Sequence, residues 1–134
     1  MVGALRLNDG MPDHAPDALA PDTLARVTEL LRRQPLIDGH NDLAWEVRKQ
    51  SGYDLDEMDL SQRLTTTQTD LPRLRDGGVG AQFWSVWVPS TMPDGAAVVQ
   101  TLEQVDAVHK MVGRYADRLG FARTADELLS LIHI

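Results

Sequence analysis

Apolar positions along this chain change their period several times, and each change marks an element. Leu24, Val27, Leu30 and Leu31 recur at helical spacing behind Asp22, a residue suited to an N-cap. Arg32-Arg33 suit the negative end of that helix's dipole, and Pro35 stops it. Leu36 to Asp42 starts apolar and turns polar within a few residues, the pattern of a short buried strand whose C-terminal end emerges into a site. Residues 43–69 are polar and irregular, with a short helix expected near 55–63; a loop of this length is a candidate for an active site. Asp70 is placed to cap a helical segment with Pro72 in its first turn, and Gly77-Gly78 ends it.

Val79 to Val88 is rich in β-branched and aromatic residues and reads as a second buried strand, closed by Pro89. A long amphipathic helix is expected from Gly95 to Leu119, with Val98, Leu102, Val105, Val108, Val112 and Tyr115 on its apolar face and Gly120 as its stop. Thr124, with Glu127 three residues on, starts a further helix in the manner of a capping box. Strands alternating with helices indicate a parallel α/β architecture. Two strands do not complete a parallel sheet, so the chain reads as the opening of something larger.

Residues 1–21 carry no such period. They are rich in Asp, Pro, Ala and Gly and are expected to form a disordered leader, with residues 22–128 as the folded part. Composition narrows the chemistry. The 134 residues carry a formal net charge of -7, which argues against a nucleic-acid partner and against a polybasic membrane anchor. There is no cysteine, so disulfides, thiolate metal ligands and a thiol nucleophile are excluded from this chain, and a metal would rest on His, Asp and Glu. No stretch has the length and apolarity of a membrane span, and the N-terminus has no signal-peptide pattern. With the missing cysteines, this leads to an expected cytoplasmic location.

His40-x-Asp42 is the sharpest chemical feature. Residues i and i+2 of a strand share a face, so an imidazole and a carboxylate at a strand's end are able to hold one side of a zinc ion. A His-x-Asp triplet also arises by chance, and the alternative is a histidine hydrogen-bonded to a turn aspartate. The remaining histidines are weaker candidates. His14 falls in the leader, and His109 follows Asp106 on a helix, where a surface pair is expected. Trp45, Trp84 and Trp87 are expected to be core aromatics sooner than pocket walls, and the acidic run from Asp54 to Asp59 to be a solvated surface. Nucleophile-elbow, phosphate-loop and dinucleotide motifs do not occur.

Three blocks in order carry a family resemblance. Ile37-Asp38-Gly39-His40-Asn41-Asp42-Leu43 resembles the opening strand of the membrane (renal) dipeptidases, peptidase family M19. Thr69 to Arg75, followed by Gly77-Gly78-Val79-Gly80-Ala81-Gln82-Phe83-Trp84-Ser85-Val86, resembles the family's first barrel helix and second strand. Thr101 to Asp106 with Val108-His109 resembles its next helix, so the likeness runs from about Leu36 to Leu128. The resemblance implies a (β/α)8 barrel of TIM type, of which this chain would hold about two of eight strands. It also implies two zinc ions bridged by a glutamate, and hydrolysis of dipeptides, including those with a C-terminal D-residue, by a metal-activated bridging water. By motif match His40 and Asp42 would bind one zinc. The family's bridging glutamate, its further histidine and aspartate ligands and its substrate-carboxylate arginine are expected beyond this chain, as is the homodimer the family tends to form. The chain alone is therefore expected to be inactive. Other binuclear amidohydrolases and a non-catalytic remnant are the alternative readings.

The last six residues, Leu129 to His133 and Ile134, depart from the family pattern and resemble the translation of a transposase adapter used in sequencing libraries. Residues 129–134 are accordingly expected to be a non-native tail in which His133 has no role, the alternative being a short apolar helix end.

Overall fold

The computed structural model describes residues 2–5 and 20–132. In chain order the elements are β1 (Val2–Leu5), α1 (Pro21–Arg33), β2 (Leu36–Asn41), α2 (Leu43–Ser51), α3 (Leu71–Asp76), β3 (Val79–Trp84), α4 (Ala96–Arg114), β4 (Leu119–Ala122) and α5 (Ala125–Ile132). The strands form one mixed sheet in the order β2-β3-β1-β4. β2 and β3 run parallel, as the alternation of elements predicts, while β1 lies antiparallel to both β3 and β4. The chain is thus a mixed α/β unit with one parallel strand pair; these four strands do not make up a barrel.

Several sequence expectations need correction, four of them in the bounds of elements. The first concerns the leader: Val2–Leu5 form a strand between β3 and β4, while residues 6–19, including His14, lie outside the described residues. The second is the expected loop at 43–69, which opens with α2. Leu43, Ala44 and Val47 supply that helix's buried face, and Gly52 closes it in the left-handed conformation at φ 57°. Residues 54–61, where a short helix was expected, form turns. The third is the long helix, which ends at Arg114 and not at Leu119; Gly120 lies within β4 and does not stop a helix. The fourth is the second strand, which ends at Trp84, before the expected Val88. The expected tail contributes the last turn of α5, where Ile132 is buried against Ala81; residues 133 and 134 lie outside the described residues.

The main core lies between the sheet and helices α2, α3 and α4. It is built from Leu43, Val47, Leu60, Leu71, Trp84, Val108, Met111 and Leu119, among others. Only the C-terminal half of α4 faces it. Val98 and Leu102, expected on the buried face, are each 63% exposed, whereas Val108, Val112 and Tyr115 are buried as expected. No residue of α1 is fully buried. Its Leu31 and the following Pro35 rest on the start of β3, where Gly78 (φ 65°) and Gly80 leave no room for a Cβ: one on Gly80 would collide with Pro35.

Tyr115 ends α4 and ties it to the turns at 54–61. Its hydroxyl accepts from the Leu60 N–H at 3.0 Å and donates to Asp59 Oδ1 at 3.1 Å. Asp59 also accepts from the Ser61 N–H and hydroxyl, each at 2.9 Å. The Ser61 N–H contributes most to holding the Asp59 carboxyl below its usual pKa, with help from the Ser61 and Tyr115 hydroxyls and against the cost of partial burial. The acidic run is exposed at Asp54, Asp56 and Glu57, as expected, and it also orders the turns: Asp54 accepts from the Asp56 and Glu57 N–H groups, and Asp56 pairs with Arg114.

Two outcomes follow. Tyr115→Phe leaves the N–H of fully buried Leu60 without its acceptor and is expected to cost about 1–3 kcal/mol in urea denaturation; an unchanged midpoint would show that this N–H is satisfied otherwise. The contribution of Asp59 is present above the unfolded carboxyl value, about 3.9, and is lost as pH falls through the lower folded value. Acidification below about pH 4 should therefore destabilise the parent more than an Asp59→Asn variant, and parallel stability-against-pH curves would exclude this role.

Candidate metal centre

β2 ends where the parallel pair opens, and the two candidate ligands sit at that end. His40 Nε2 and Asp42 Oδ2 are 3.2 Å apart, with side chains 67% and 46% exposed. The sequence expectation that they converge is met, although the reason differs in part. Asp42 is not in the strand. It occupies the N-cap position of α2 (φ -97°, ψ 28°) and makes no side-chain capping bond, so its carboxylate is free to face His40. The strand is also irregular here: its register against β3 slips between Asp38 and Asn41. Asp38 pairs with Gln82 and Asn41 with Trp84, so β2 carries one residue more than β3 over this stretch, around Gly39 and His40, as in a β-bulge.

The pair is held from behind by polar side chains the sequence reading passed over. The Asp38 carboxylate accepts from the His40 backbone N–H at 3.2 Å through Oδ1 and from the Gln82 amide through Oδ2. Gln82 is 1% exposed, and its carbonyl oxygen accepts from Trp84 Nε1 at 3.1 Å. The available signal was a lone glutamine inside the apolar run Val79 to Trp84. Asn41 donates to Thr69 Oγ1 at 3.0 Å and accepts from the Leu43 N–H at 2.9 Å, which joins the strand end to the loop before α3 and to the start of α2.

That loop is fixed by a buried carboxylate. Asp70 is fully buried; it caps α3 by accepting from the Arg73 N–H at 2.8 Å, as expected from sequence, and it accepts from the Leu64 N–H at 2.9 Å. Its ion-pair partner Arg73, at 3.0 Å, donates to the carbonyls of Thr67 and Leu64 at 2.8 and 2.6 Å. Between this loop and α2 lies a cleft of about 300 Å3 lined by Asn41, Asp42, Leu43, Glu46 and Thr66 to Thr69. Glu46 is engaged by Lys49 and Gln50, and the Lys49 contact contributes most to holding its carboxyl below the usual range.

The donors fit zinc in kind. The exposed imidazole nitrogen and carboxylate oxygen are hydrogen-bonded to one another, the alternative the sequence left open, and the same two donor types suit one edge of a zinc shell. They do not fill it: among the described residues no three His, Asp or Glu side chains gather closely enough to hold a metal ion. The other candidates lie apart. His109 packs against Phe121, with ring centroids 4.6 Å apart, and Asp106 pairs with Lys110 in place of His109. Trp84 is core, as expected, whereas Trp87 is half exposed and meets Trp45 edge to face at 5.3 Å. Among the described residues, no helix is long and apolar enough to cross a membrane.

The family model for membrane dipeptidase, peptidase family M19, matches residues 24–133, and the chain belongs to that family. Its relatives are dipeptidases. It is 40% identical to Dipeptidase verJ of Clonostachys rogersoniana over 123 residues, covering 83% of this chain and 31% of the relative. It is 41% identical to Dipeptidase ataJ of Aspergillus terreus, covering 78% of this chain and 27% of the relative. It is 43% identical to human Dipeptidase 3, covering 72% and 20% respectively. The chain thus spans between a fifth and a third of the length of these relatives.

Asp70→Ala removes a helix cap and orphans the Leu64 N–H, with an expected cost of roughly 2–4 kcal/mol. Amide exchange should rise across 64–69 before it rises in α4; uniform loosening of both would mean that Asp70 does not act through the loop.

Proposed function

We propose that this chain is the first metal-binding portion of a zinc-dependent dipeptidase, in which His40 and Asp42 supply one edge of a zinc shell. The observation that carries the reading is their approach to 3.2 Å at the end of a parallel strand, with neither side chain spent on a cap or in the core. Family membership supports the hydrolase class. When bound, the zinc pair would supply a polarising Lewis acid and a lowered pKa for the attacking water.

The chain's own residues have simpler tasks. His40 Nε2 and Asp42 Oδ2 are hydrogen-bonded to one another in the metal-free chain and would each offer a lone pair to a metal ion that displaces the proton between them. The open carboxylate of Asp42 brings the negative charge that a divalent ion needs. Asn41 and Thr69 keep the wall of the adjoining cleft in place, and that cleft is large enough to admit part of a dipeptide; acceptance of dipeptides with a C-terminal D-residue is proposed from the family resemblance alone. With two donors this chain is proposed to bind metal weakly and not to turn substrate over; the remaining ligands would come from the longer protein.

Calorimetric titration of the chain with Zn2+ should show a weak site that His40→Ala and Asp42→Ala each abolish. In a full-length enzyme carrying this segment, either substitution should lower kcat for dipeptides by more than about 100-fold. Retention of both zinc uptake and activity in the two variants would refute the assignment.

A further inference from the structure

We infer that Gln82 is a positioning residue for His40, acting through the Asp38 carboxylate. This rests on the reading of His40 as a ligand, and deepens it. The slip in register around Gly39 and His40 falls on an edge strand, and there the His40 N–H takes a side-chain acceptor. Asp38, two residues back on the same strand, provides it at 3.2 Å. A single backbone bond would leave the carboxylate free to rotate. The Gln82 amide, from the neighbouring strand, takes the other oxygen and fixes the plane of the group.

Gln82 itself has no rotational choice. Its carbonyl oxygen is held by Trp84 Nε1 at 3.1 Å, and Trp84 is buried in the main core. An indole donor accepts nothing, so the amide oxygen must face Trp84 and the NH2 must face Asp38. The direction of every bond from the core to the bulge is therefore set: Trp84 to Gln82, Gln82 to Asp38, and the His40 N–H back to Asp38. A buried glutamine on the strand beside the ligand strand thereby governs the backbone from which the imidazole springs.

The bond polarity permits a test by exchange. Gln82→Met keeps the bulk and removes both polar ends. Combining Asp38→Asn with Gln82→Glu swaps amide and carboxylate: the new Asn would donate to the new Glu and still accept from His40, and the Glu would still accept from Trp84. Two readouts are made on the full chain, with urea midpoints to identify loss of fold. The first is exchange of the His40 amide proton without metal; the second is Co2+ titration followed by its visible spectrum. Gln82→Met should speed His40 exchange and weaken Co2+ binding by about 10–100-fold, and the double exchange should restore both to parent values. The inference is overturned if His40 exchange is unchanged in Gln82→Met, or if the double exchange does not recover it. If parent and His40→Ala chains bind Co2+ alike, the ligand reading fails, and the metal-free exchange still decides whether Gln82 positions His40.

Discussion

A carboxylate with no access to water organises the chain around the end of β2. Asp70 must satisfy its oxygens internally, and it does so with the first turn of α3, with the Leu64 N–H and with the Arg73 guanidinium. Arg73 then spends two further donors on the carbonyls of Leu64 and Thr67, so a polar loop without secondary structure acquires a single path. Thr69, at the end of that path, receives the Asn41 amide and so fixes the turn between β2 and α2. The geometry of His40 and Asp42 thus depends on a charge whose desolvation would be costly if any of these partners were lost.

Two polar networks meet at the end of β2 from different sides. One comes through Asp70, Thr69 and Asn41 and sets the start of α2, hence the position of Asp42. The other comes through Trp84, Gln82 and Asp38 and sets the backbone of His40. Both side chains, His40 and Asp42, are exposed at the tip and anchored at the root by these networks. That division suits a group that must leave its lone pair free while its backbone stays still.

Much of this was legible in the chain itself where local chemistry decides. Asp70 with Pro72, the Gly77-Gly78 stop, and Thr124 with Glu127 act within a few residues, and the structure places them as read: Asp70 caps α3, and Thr124 Oγ1 accepts from the Glu127 N–H at 3.1 Å. The end of α4 was hidden because Val108, Val112, Tyr115 and Leu119 continue a helical spacing. What breaks it is long-range: the Tyr115 hydroxyl is claimed by Asp59 and Leu60, and the chain then turns into β4. α2 had a usable signal in Leu43, Ala44 and Val47 ahead of Gly52, masked by its polar surface. The His40–Asp42 pairing was readable as a triplet, but the bulge that shapes it and the glutamine that steadies it depend on which strand lies next door, information no local pattern contains.

The bulge at Gly39 and His40 also says what kind of change this strand end tolerates. Nothing lies within 4 Å of where a Cβ on Gly39 would stand, so the space there accepts a side chain. What position 39 contributes is one additional peptide unit, which offsets the even alternation of the strand. Replacing the residue preserves that count, whereas deleting it would return the strand to strict alternation and turn the imidazole towards the opposite face of the sheet. Along this stretch spacing is more constrained than identity, and a lineage could vary the glycine long before it could lose the position.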